Sequence, residues 1–336
     1  PTERNETRPM DVTLKIQRYS PEDGSTRLDE FTVDAPETAT LLDCLDIVKD
    51  RHDGSLTYRK SCRMAVCGSC GMRMDGAAKL ACKTPMLPLV EAGHVPVISP
   101  MGNLPVIKDL VVDMDPFWAK FRAVKPYLED EGADPPAKEW RVQQEELDRI
   151  MKEALCIQCG CCVSECNSMA SDPDFLGPAA LAKAARFVGD VRDTGRKERL
   201  QAMNGPHGVW DCTRCYFCNE RCPKGVDPRD AIAKIGAEIY QEGMLSDKGA
   251  RHAQVFDVST RLTGYLLETA LVPYTDPLKA MDITFAMKLA RAGKVPNPVK
   301  PHRAKKLGEV RQLHKLIKSQ EAEQLAAKRS GPRAEE

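Results

Sequence analysis

Two runs of cysteines between residues 156 and 222 share one spacing, C-x2-C-x2-C-x3-C. Such a run wraps a cuboidal iron–sulfur cluster, and its fourth cysteine usually serves the other cluster of a pair. Zinc also binds C-x2-C pairs, but it needs two well-separated pairs instead of four thiolates in one short run. The spacing therefore favours two cuboidal clusters over zinc. The first run is Cys156, Cys159, Cys162 and Cys166, and the second is Cys212, Cys215, Cys218 and Cys222.

An earlier motif reads C-x4-C-x2-C with one later cysteine, which is the spacing that holds a 2Fe–2S cluster in plant-type ferredoxins. Gly68 and Gly71 let the backbone pass close to sulfur and point N–H groups at it. Such N–H groups stabilise the anionic cluster. Basic residues flank the loop, either as solvated charges or as groups that neutralise the cluster or dock a partner. The cysteines are Cys62, Cys67, Cys70 and Cys82, and the basic residues are Arg59, Lys60 and Arg63.

Two further cysteines do not fit these motifs. Cys44 lies within a segment of helical apolar period, where an isolated cysteine is usually a small core residue. Cys161 lies beside Cys162 but outside the ligand spacing. We therefore predict that neither Cys44 nor Cys161 binds metal.

The composition excludes several classes of protein. The 336 residues suffice for two domains and a tail, and the net charge of zero gives no general attraction to nucleic acid. Fourteen cysteines grouped in C-x2-C runs indicate metal binding in a reducing compartment and not a disulfide scaffold. The polar start predicts no signal peptide, and the lack of a run of about 18 apolar residues predicts no membrane span.

The elements that must position the cysteines follow from periodicity. Alternating apolar residues predict a β-hairpin over 11–34, and a helix follows over 40–49. A second hairpin over 72–80, turning at Asp75 and Gly76, carries Cys82 back to the cluster. We also predict that strands at 95–98 and 104–109 pair with each other. Segment 117–140, rich in aromatics and prolines, is interpreted as a packed linker.

From residue 143 onward, the sequence predicts helices. One helix leads from Gln143 into Cys156, and others begin at Pro178 and after Asp227, where proline suits a first helical turn. The cysteine loops would be held between these helices. No paired acid and base, nucleophile, nucleotide loop or flavin fingerprint is present, so we predict no catalytic residue.

Taken together, the motifs resemble the iron–sulfur subunit of succinate dehydrogenase and fumarate reductase. The similarity covers about residues 13–244 and includes the three cluster motifs in order. It also includes Phe175-Leu-Gly-Pro178, Asp190-Val-Arg-Asp193 and Cys222-Pro-Lys-Gly225. The resemblance implies a subunit that passes electrons singly from FAD on a flavoprotein partner to a quinone or a membrane-anchor cofactor. The dicarboxylate site would lie on that partner.

The resemblance implies an α+β fold. A plant-type ferredoxin (β-grasp) domain would span 1–116, followed by a linker at 117–142. An all-α ferredoxin-like domain with two clusters would span 143–245, and a basic helical extension would span 246–336.

The resemblance also implies ligand sets that cross between the two cuboidal runs. Cys62, Cys67, Cys70 and Cys82 would hold the 2Fe–2S cluster nearest the flavin. Cys156, Cys159, Cys162 and Cys222 would hold the middle 4Fe–4S cluster. The third cluster would take Cys166, Cys212 and Cys218. Cys215 stands where 3Fe–4S members have an apolar residue, so a 4Fe–4S cluster is favoured, with 3Fe–4S without Cys215 as the alternative.

The quinone site departs from the family. Proline, tryptophan and histidine of the usual pocket are replaced by residues 167–170 and Thr213. Met169 and Thr213 would be the residues nearest a quinone. Because the familiar pocket is not reproduced, the anchor subunit would build more of the site or relay electrons through its own cofactor.

The tail suggests a further contact. Between 287 and 329, twelve Lys/Arg against three Glu leave a net charge of +9. Leu307, Val310, Leu313, Leu316 and Ile317 follow a helical period. The segment is either a solvated face or a surface for anionic lipid or a partner.

Two alternatives remain open at this point. Segment 251–271 is loosely similar to heterodisulfide-reductase subunits, which pair with a cysteine-rich partner, so another flavin-linked complex, including glycerol-3-phosphate dehydrogenase, is the alternative family. A zinc-bound scaffold is the alternative from a different class. Within the favoured family, the chain would act in the tricarboxylic acid cycle at the cytoplasmic face of the cell membrane, with no nucleic-acid partner.

Overall fold

The computed structural model describes residues 8–130, 139–293 and 303–329. The chain divides into two compact units. The first comprises Pro1–Tyr127, Asp148–Arg186 and Cys212–Ile232, and the second comprises Leu128–Leu147, Phe187–Asp211 and Ala233–Glu336. All of the motif cysteines therefore lie in the first unit.

The first unit begins with the predicted hairpin. Strands β1 (Pro9–Tyr19) and β2 (Thr26–Pro36) pair antiparallel. Val12, Leu14 and Ile16 of β1 are all buried, because alternate residues of a strand point to the same face. The alternation seen in the sequence is thus the inner face of a sheet, and the hairpin prediction is confirmed.

Three more strands complete a sheet of order β2-β1-β5-β3-β4: β3 (Gly71–Met74), β4 (Ala77–Leu80) and β5 (Val97–Ser99). The β3–β4 hairpin turns at Asp75 and Gly76 as predicted. The predicted pairing of 95–98 with 104–109 is wrong. Strand β5 enters the middle of the sheet, parallel to β1 and antiparallel to β3, where Ile98 is fully buried. The later segment instead forms a separate two-stranded sheet of β6 (Val106–Lys108) and β7 (Val111–Val112).

Short helices pack around the sheet. Helix α1 (Leu41–Ile47) starts at a capping box between Thr40 and Asp43 and continues as a π-helical turn over Val48–His52. Cys44 lies on the buried face of this helix and belongs to the core cluster, as predicted. Helix α2 spans Leu87–Glu91. Helix α3 (Asp115–Ala123) occupies part of the segment interpreted as linker and buries Phe117 and Phe121.

Helices form the rest of the described chain, and no strand occurs in 139–293 or 303–329. Helix α4 (Gln144–Ala154) leads into Cys156 as predicted, and α7 and α10 begin at the predicted prolines or one residue earlier. A small sheet region followed by a helical region confirms the expected organisation. The helices up to the tail are α4, α5 (Cys161–Ser164), α6 (Asn167–Ser171), α7 (Gly177–Val188), α8 (Arg196–Met203), α9 (Phe217–Glu220) and α10 (Pro228–Gln241).

Buried ion pairs organise the second unit. Arg199 of α8 donates to Asp193 at 2.9 Å, and both side chains are almost fully buried. Arg196 bonds to Glu238 and Glu242 of α10 at 3.0 and 2.7 Å. A buried charge is costly unless it is paired, so these arginines and their carboxylates depend on one another. The Asp190-Val-Arg-Asp193 motif thus has a structural role here.

The second unit continues with α11 (Lys248–Thr263), α12 (Glu268–Thr275), α13 (Pro277–Ala280), α14 (Ile283–Arg291) and α15 (Leu307–Arg329). Helix α15 contacts α11 through its polar side, because His314 and Lys318 lie 3.3 and 3.5 Å from the carboxylate of Asp257. Leu313 and Leu316 are 57% and 61% exposed. The predicted apolar residues therefore lie on a helix, where Leu313, Leu316 and Ile317 are exposed and Leu307 and Val310 are partly buried.

Among the residues that the structure describes, no helix is both long enough and apolar enough to cross a membrane.

Candidate metal centres

The first candidate centre lies on the loop before β3. Cys62 and Cys67 are near the surface, whereas Cys70 and Cys82 are buried at the ends of the β3–β4 hairpin. The Sγ atoms of Cys70 and Cys82 are 3.3 Å apart, which is far longer than a disulfide bond. Two thiols held close without a bond are suited to sharing a metal site.

Backbone N–H groups surround these sulfurs. The N–H groups of Met64, Val66 and Cys67 lie 3.3–3.5 Å from Cys62 Sγ, and that of Ala65 lies 3.3 Å from Cys82 Sγ. The loop points them inward because Arg63, Ala65 and Gly68 all have positive φ. Successive N–H groups in such turns form an anion-binding concavity. This donor set fits a 2Fe–2S cluster, whose thiolates and sulfides are anionic.

The thiols of this loop differ in acidity. The Ser69 hydroxyl and nearby backbone N–H groups lower the pKa of Cys67 to about 6. Burial raises the pKa of Cys70 to about 12. Because a cluster binds thiolates, its assembly must displace a proton from Cys70, while Cys67 is already largely ionised near neutral pH.

Two of the flanking basic residues are paired within the protein. Lys60 Nζ and an Arg63 guanidinium nitrogen lie 2.8 and 2.5 Å from the carboxylate of Asp46 on α1, which Tyr58 also contacts. Burial works against ionisation of Asp46, but these partners hold its pKa below the usual value. Arg59 instead lines a separate cavity beside Cys67. Lys60 and Arg63 thus anchor the loop to α1.

The second candidate centre is a cavity lined by Cys156, Cys159, Cys162 and Cys222. The backbone is left-handed on both sides of Cys159, at Gln158 and Gly160. The N–H of Val226 lies 3.3 Å from Cys222 Sγ. A cavity bounded by four thiols from two runs fits a cuboidal cluster.

The positive charge of Lys183 affects the thiols of this cavity. Burial raises the pKa of Cys156, and the field of Lys183 on α7 opposes that rise. Lys183 is half-buried, and its Nζ lies 6.0 Å from the ring centroid of Phe121. A cation held at this position favours the ionised thiols of the cavity.

Cys161 lies elsewhere. It is fully buried and belongs to the core cluster of the sheet, against which Ile157 and Cys159 also pack. A hydrogen bond from Cys161, with backbone N–H groups, lowers the pKa of Cys159 to about 7. Cys161 therefore neighbours a candidate ligand without lining the cavity.

The third candidate centre joins the remaining cysteines. Burial raises the pKa of Cys166, and the nearby thiols of Cys212 and Cys215 raise it further. Burial likewise raises the pKa of Cys218 to about 12, and the nearby Cys212, Cys166 and Cys215 contribute to the rise. The structure thus brings Cys166 of the first run to the second run. Cys215 is exposed, in a loop with positive φ at Arg214 and Tyr216.

The two residues predicted nearest a quinone differ in their surroundings. Met169 is buried, and its Sδ fills the space in front of Gly177. Thr213 is exposed, and its N–H donates to Ser168 Oγ at 3.2 Å. Only Thr213 of this pair faces solvent.

Two aromatic residues beside the third centre were not predicted from the sequence to be part of the site. Tyr216 and Phe217 are 45% and 39% exposed between Cys215 and Cys218. The guanidinium of Arg229 lies 4.5 Å from the ring centroid of Tyr216. Their position inside the cysteine run was the available signal, because residues between ligands must lie close to the centre.

The chain is similar to known iron–sulfur proteins. Residues 13–119 match the family model of the 2Fe-2S iron-sulfur cluster binding domain, and residues 154–226 match that of the 4Fe-4S dicluster domain. The fumarate reductase iron-sulfur subunit of Haemophilus influenzae is 40% identical over 253 residues, which are 71% of this chain and 98% of that protein. The succinate dehydrogenase iron-sulfur subunit of Coxiella burnetii is 38% identical, covering 69% of this chain and 98% of that protein.

A solved structure supports the fold. A chain of the Mycobacterium smegmatis Sdh1 complex in the apo form superposes with a TM-score of 0.64 at 24% identity. The superposition covers 70% of this chain and 98% of that chain.

Proposed function

The chain belongs to the iron–sulfur subunits of succinate dehydrogenase and fumarate reductase, and from this premise we propose which of its residues hold each cluster. Its function is electron transfer within an oxidoreductase complex. When bound, the clusters supply one-electron redox chemistry. The relatives do not favour the alternative of a glycerol-3-phosphate dehydrogenase or heterodisulfide reductase subunit.

We propose three ligand sets. The convergence of Cys222 with three cysteines of the other run is the single observation that carries this assignment. Cys161 and Cys44 bind no metal. The 2Fe–2S cluster takes Cys62, Cys67, Cys70 and Cys82; the middle 4Fe–4S cluster takes Cys156, Cys159, Cys162 and Cys222; the third takes Cys166, Cys212, Cys215 and Cys218.

The third cluster is proposed to be 4Fe–4S, with 3Fe–4S as the alternative. The electrostatic proximity of Cys215 to Cys166 and Cys218 supports a fourth ligand. Because Cys215 is exposed, this cluster would reach the protein surface there.

The finer organisation is also proposed. The sheet region up to 116 is a plant-type ferredoxin (β-grasp) domain, and 117–142 is a linker. Residues 143–245 form an all-α ferredoxin-like domain with two clusters, and 246–336 form a basic extension that is helical in its described parts, 246–293 and 303–329.

The flavoprotein, carrying FAD, is proposed to cover the 2Fe–2S loop. Met64 and Val66 of this loop are 71% and 56% exposed. Large apolar side chains that project together into solvent are typical of an interface. A flavoprotein docked there would lie next to the cluster assigned nearest the flavin.

The electron exit is proposed at the third cluster. A quinone head group needs an apolar wall against its ring and donors at its carbonyls. Tyr216 and Phe217 offer exposed rings, and Thr213 offers a hydroxyl, whereas buried Met169 offers neither. The membrane-anchor or cysteine-rich anchor subunit would complete this site, or hold a further cofactor that accepts the electrons.

The extension is proposed to hold that anchor or the lipid surface, which would make the chain a peripheral protein at the cytoplasmic face of the cell membrane. The exposed apolar face of α15 and the net charge of +9 over 287–329 support this role. Cationic segments with an apolar face bind anionic membranes or acidic partners.

The proposed function is tested on the purified complex. Fumarate added to the dithionite-reduced complex should reoxidise the clusters, monitored by their visible absorbance and by electron paramagnetic resonance (EPR). Clusters that remain reduced with fumarate but are reoxidised by oxygen would contradict a role in this complex.

A further inference from the structure

Gly68 occupies a position that no other residue fits without movement of the backbone. Its φ is +74°, in the left-handed region. A Cβ atom added here would lie 2.9 Å from Cα and Cβ of Cys159 and from the carbonyl oxygen of Ile157. These atoms belong to the backbone or are attached directly to it, so they cannot rotate away.

This contact joins two cluster loops. Gly68 follows Cys67 of the 2Fe–2S set, and Cys159 belongs to the middle set. A second glycine extends the contact, because a Cβ on Gly71 would lie 3.0 Å from the Cys159 carbonyl oxygen and 3.1 Å from Met101 Sδ. The chain around Cys159 therefore passes directly across the glycine face of the 2Fe–2S loop.

Hydrogen bonds hold the segment that follows Cys159 against the sheet region. Arg73 of β3 donates to Glu165 Oε1 at 2.7 Å and to the Ser164 carbonyl at 2.8 Å. Asn103 Nδ2 donates to the carbonyls of Val163 and Cys166 at 2.8 and 2.9 Å.

Packing strengthens this attachment, because Cys161 is part of the sheet core. The separation of the two loops is thus fixed by the fold, and Gly68 permits it to be small.

We propose that Gly68 is a positioning residue for electron transfer: its missing side chain allows the 2Fe–2S loop to touch the Cys159 backbone, which gives a short protein path between these two clusters. The inference rests on the proposed ligand sets. With the clusters bound, the loops of Cys67 and Cys159 would hold the donor and the acceptor of a one-electron transfer in which no bond is made or broken. Tunnelling falls steeply with distance, so separation of the loops slows this step.

A matched pair of variants separates contact from backbone strain. Gly68→Asn adds a side chain against Cys159. Gly76→Asn adds the same side chain at a turn with the same φ of +74° and no atom within 4 Å of the added Cβ. Asparagine tolerates left-handed backbone better than most residues, which limits strain in both. Gly71→Ala is a third variant, with a close contact to Cys159 but no positive φ.

The measurement is EPR power saturation of the 2Fe–2S signal in the full complex, with this cluster reduced alone and with both clusters reduced. In the wild type, reduction of the 4Fe–4S cluster should speed relaxation of the 2Fe–2S spin. Gly68→Asn should weaken this enhancement with iron content retained, and Gly76→Asn should leave it unchanged. Unchanged enhancement in Gly68→Asn with both clusters present would overturn the proposal.

If Gly68→Asn fails to hold its 2Fe–2S cluster, Gly71→Ala decides the question. A weaker enhancement than in the wild type is expected, and wild-type relaxation would overturn the proposal. Absence of both EPR signals from the wild-type complex would instead be a failure of the proposed function.

Discussion

Cys162 and Cys222 belong to different cysteine runs, yet both line the same cavity. We predict that Cys222→Ser removes or converts the middle cluster, although it lies in the second run, because a 4Fe–4S cluster takes four thiolates. EPR of the reduced protein should show loss of that signal alone.

The controls for this variant are Cys44 and Cys161, the two cysteines outside all three proposed ligand sets. Cys44→Ala and Cys161→Ala should retain all three cluster signals. Loss of any cluster signal in either control would show that the ligand sets are wrong.

Cys215→Ser should change the third cluster from 4Fe–4S to 3Fe–4S. The exposed side chain supplies the fourth thiolate, and three cysteines remain to hold the smaller cluster. The air-oxidised variant should gain the EPR signal of a 3Fe–4S cluster and lose about one iron per chain. A wild-type protein that already has this signal at full intensity would contradict the role of Cys215.

Lys183→Met should lower the reduction potential of the middle cluster. The change keeps the length of the side chain but removes the positive charge that acts on Cys156. A unit charge in a medium of effective dielectric constant about 20 shifts a potential on the order of tens of millivolts. A potentiometric EPR titration measures the shift, with Lys79→Met on β4 as the charge-matched control. An equal shift in both variants would contradict a local effect.

The apolar face of α15 should bind the anchor or the membrane. Leu313→Asp together with Leu316→Asp should weaken co-purification with the anchor or sedimentation with anionic vesicles, because both side chains are exposed and the helix itself should persist. Gln312→Asp with Gln320→Asp makes the same charge change at exposed polar positions of the helix. Equal loss in both variants would mean that charge alone is responsible.

Local sequence patterns predicted most helices and strands, because these elements depend on residues that are neighbours in the sequence. The alternation of Val12, Leu14 and Ile16 predicted β1, and Asp75 with Gly76 predicted the second hairpin. The pairing of β5 could not be predicted this way, since Ile98 lies between strands that are distant in the chain. Such non-local pairings are decided by how the whole core packs.

The site shows the same difference between what local patterns predict and what depends on non-local packing. Cysteine spacing predicted where the thiols would gather, because metal geometry constrains it. The contact of Gly68 with Cys159 and the exposure of Tyr216 depend on how separate segments pack, which spacing does not encode.

The most direct test of a three-cluster subunit is Mössbauer spectroscopy of ⁵⁷Fe-enriched protein, combined with iron and zinc analysis. The ligand sets predict about ten irons per chain, divided between one 2Fe–2S and two 4Fe–4S clusters, or about nine if the third cluster is 3Fe–4S. Iron near two per chain, or zinc in stoichiometric amount, would contradict the account.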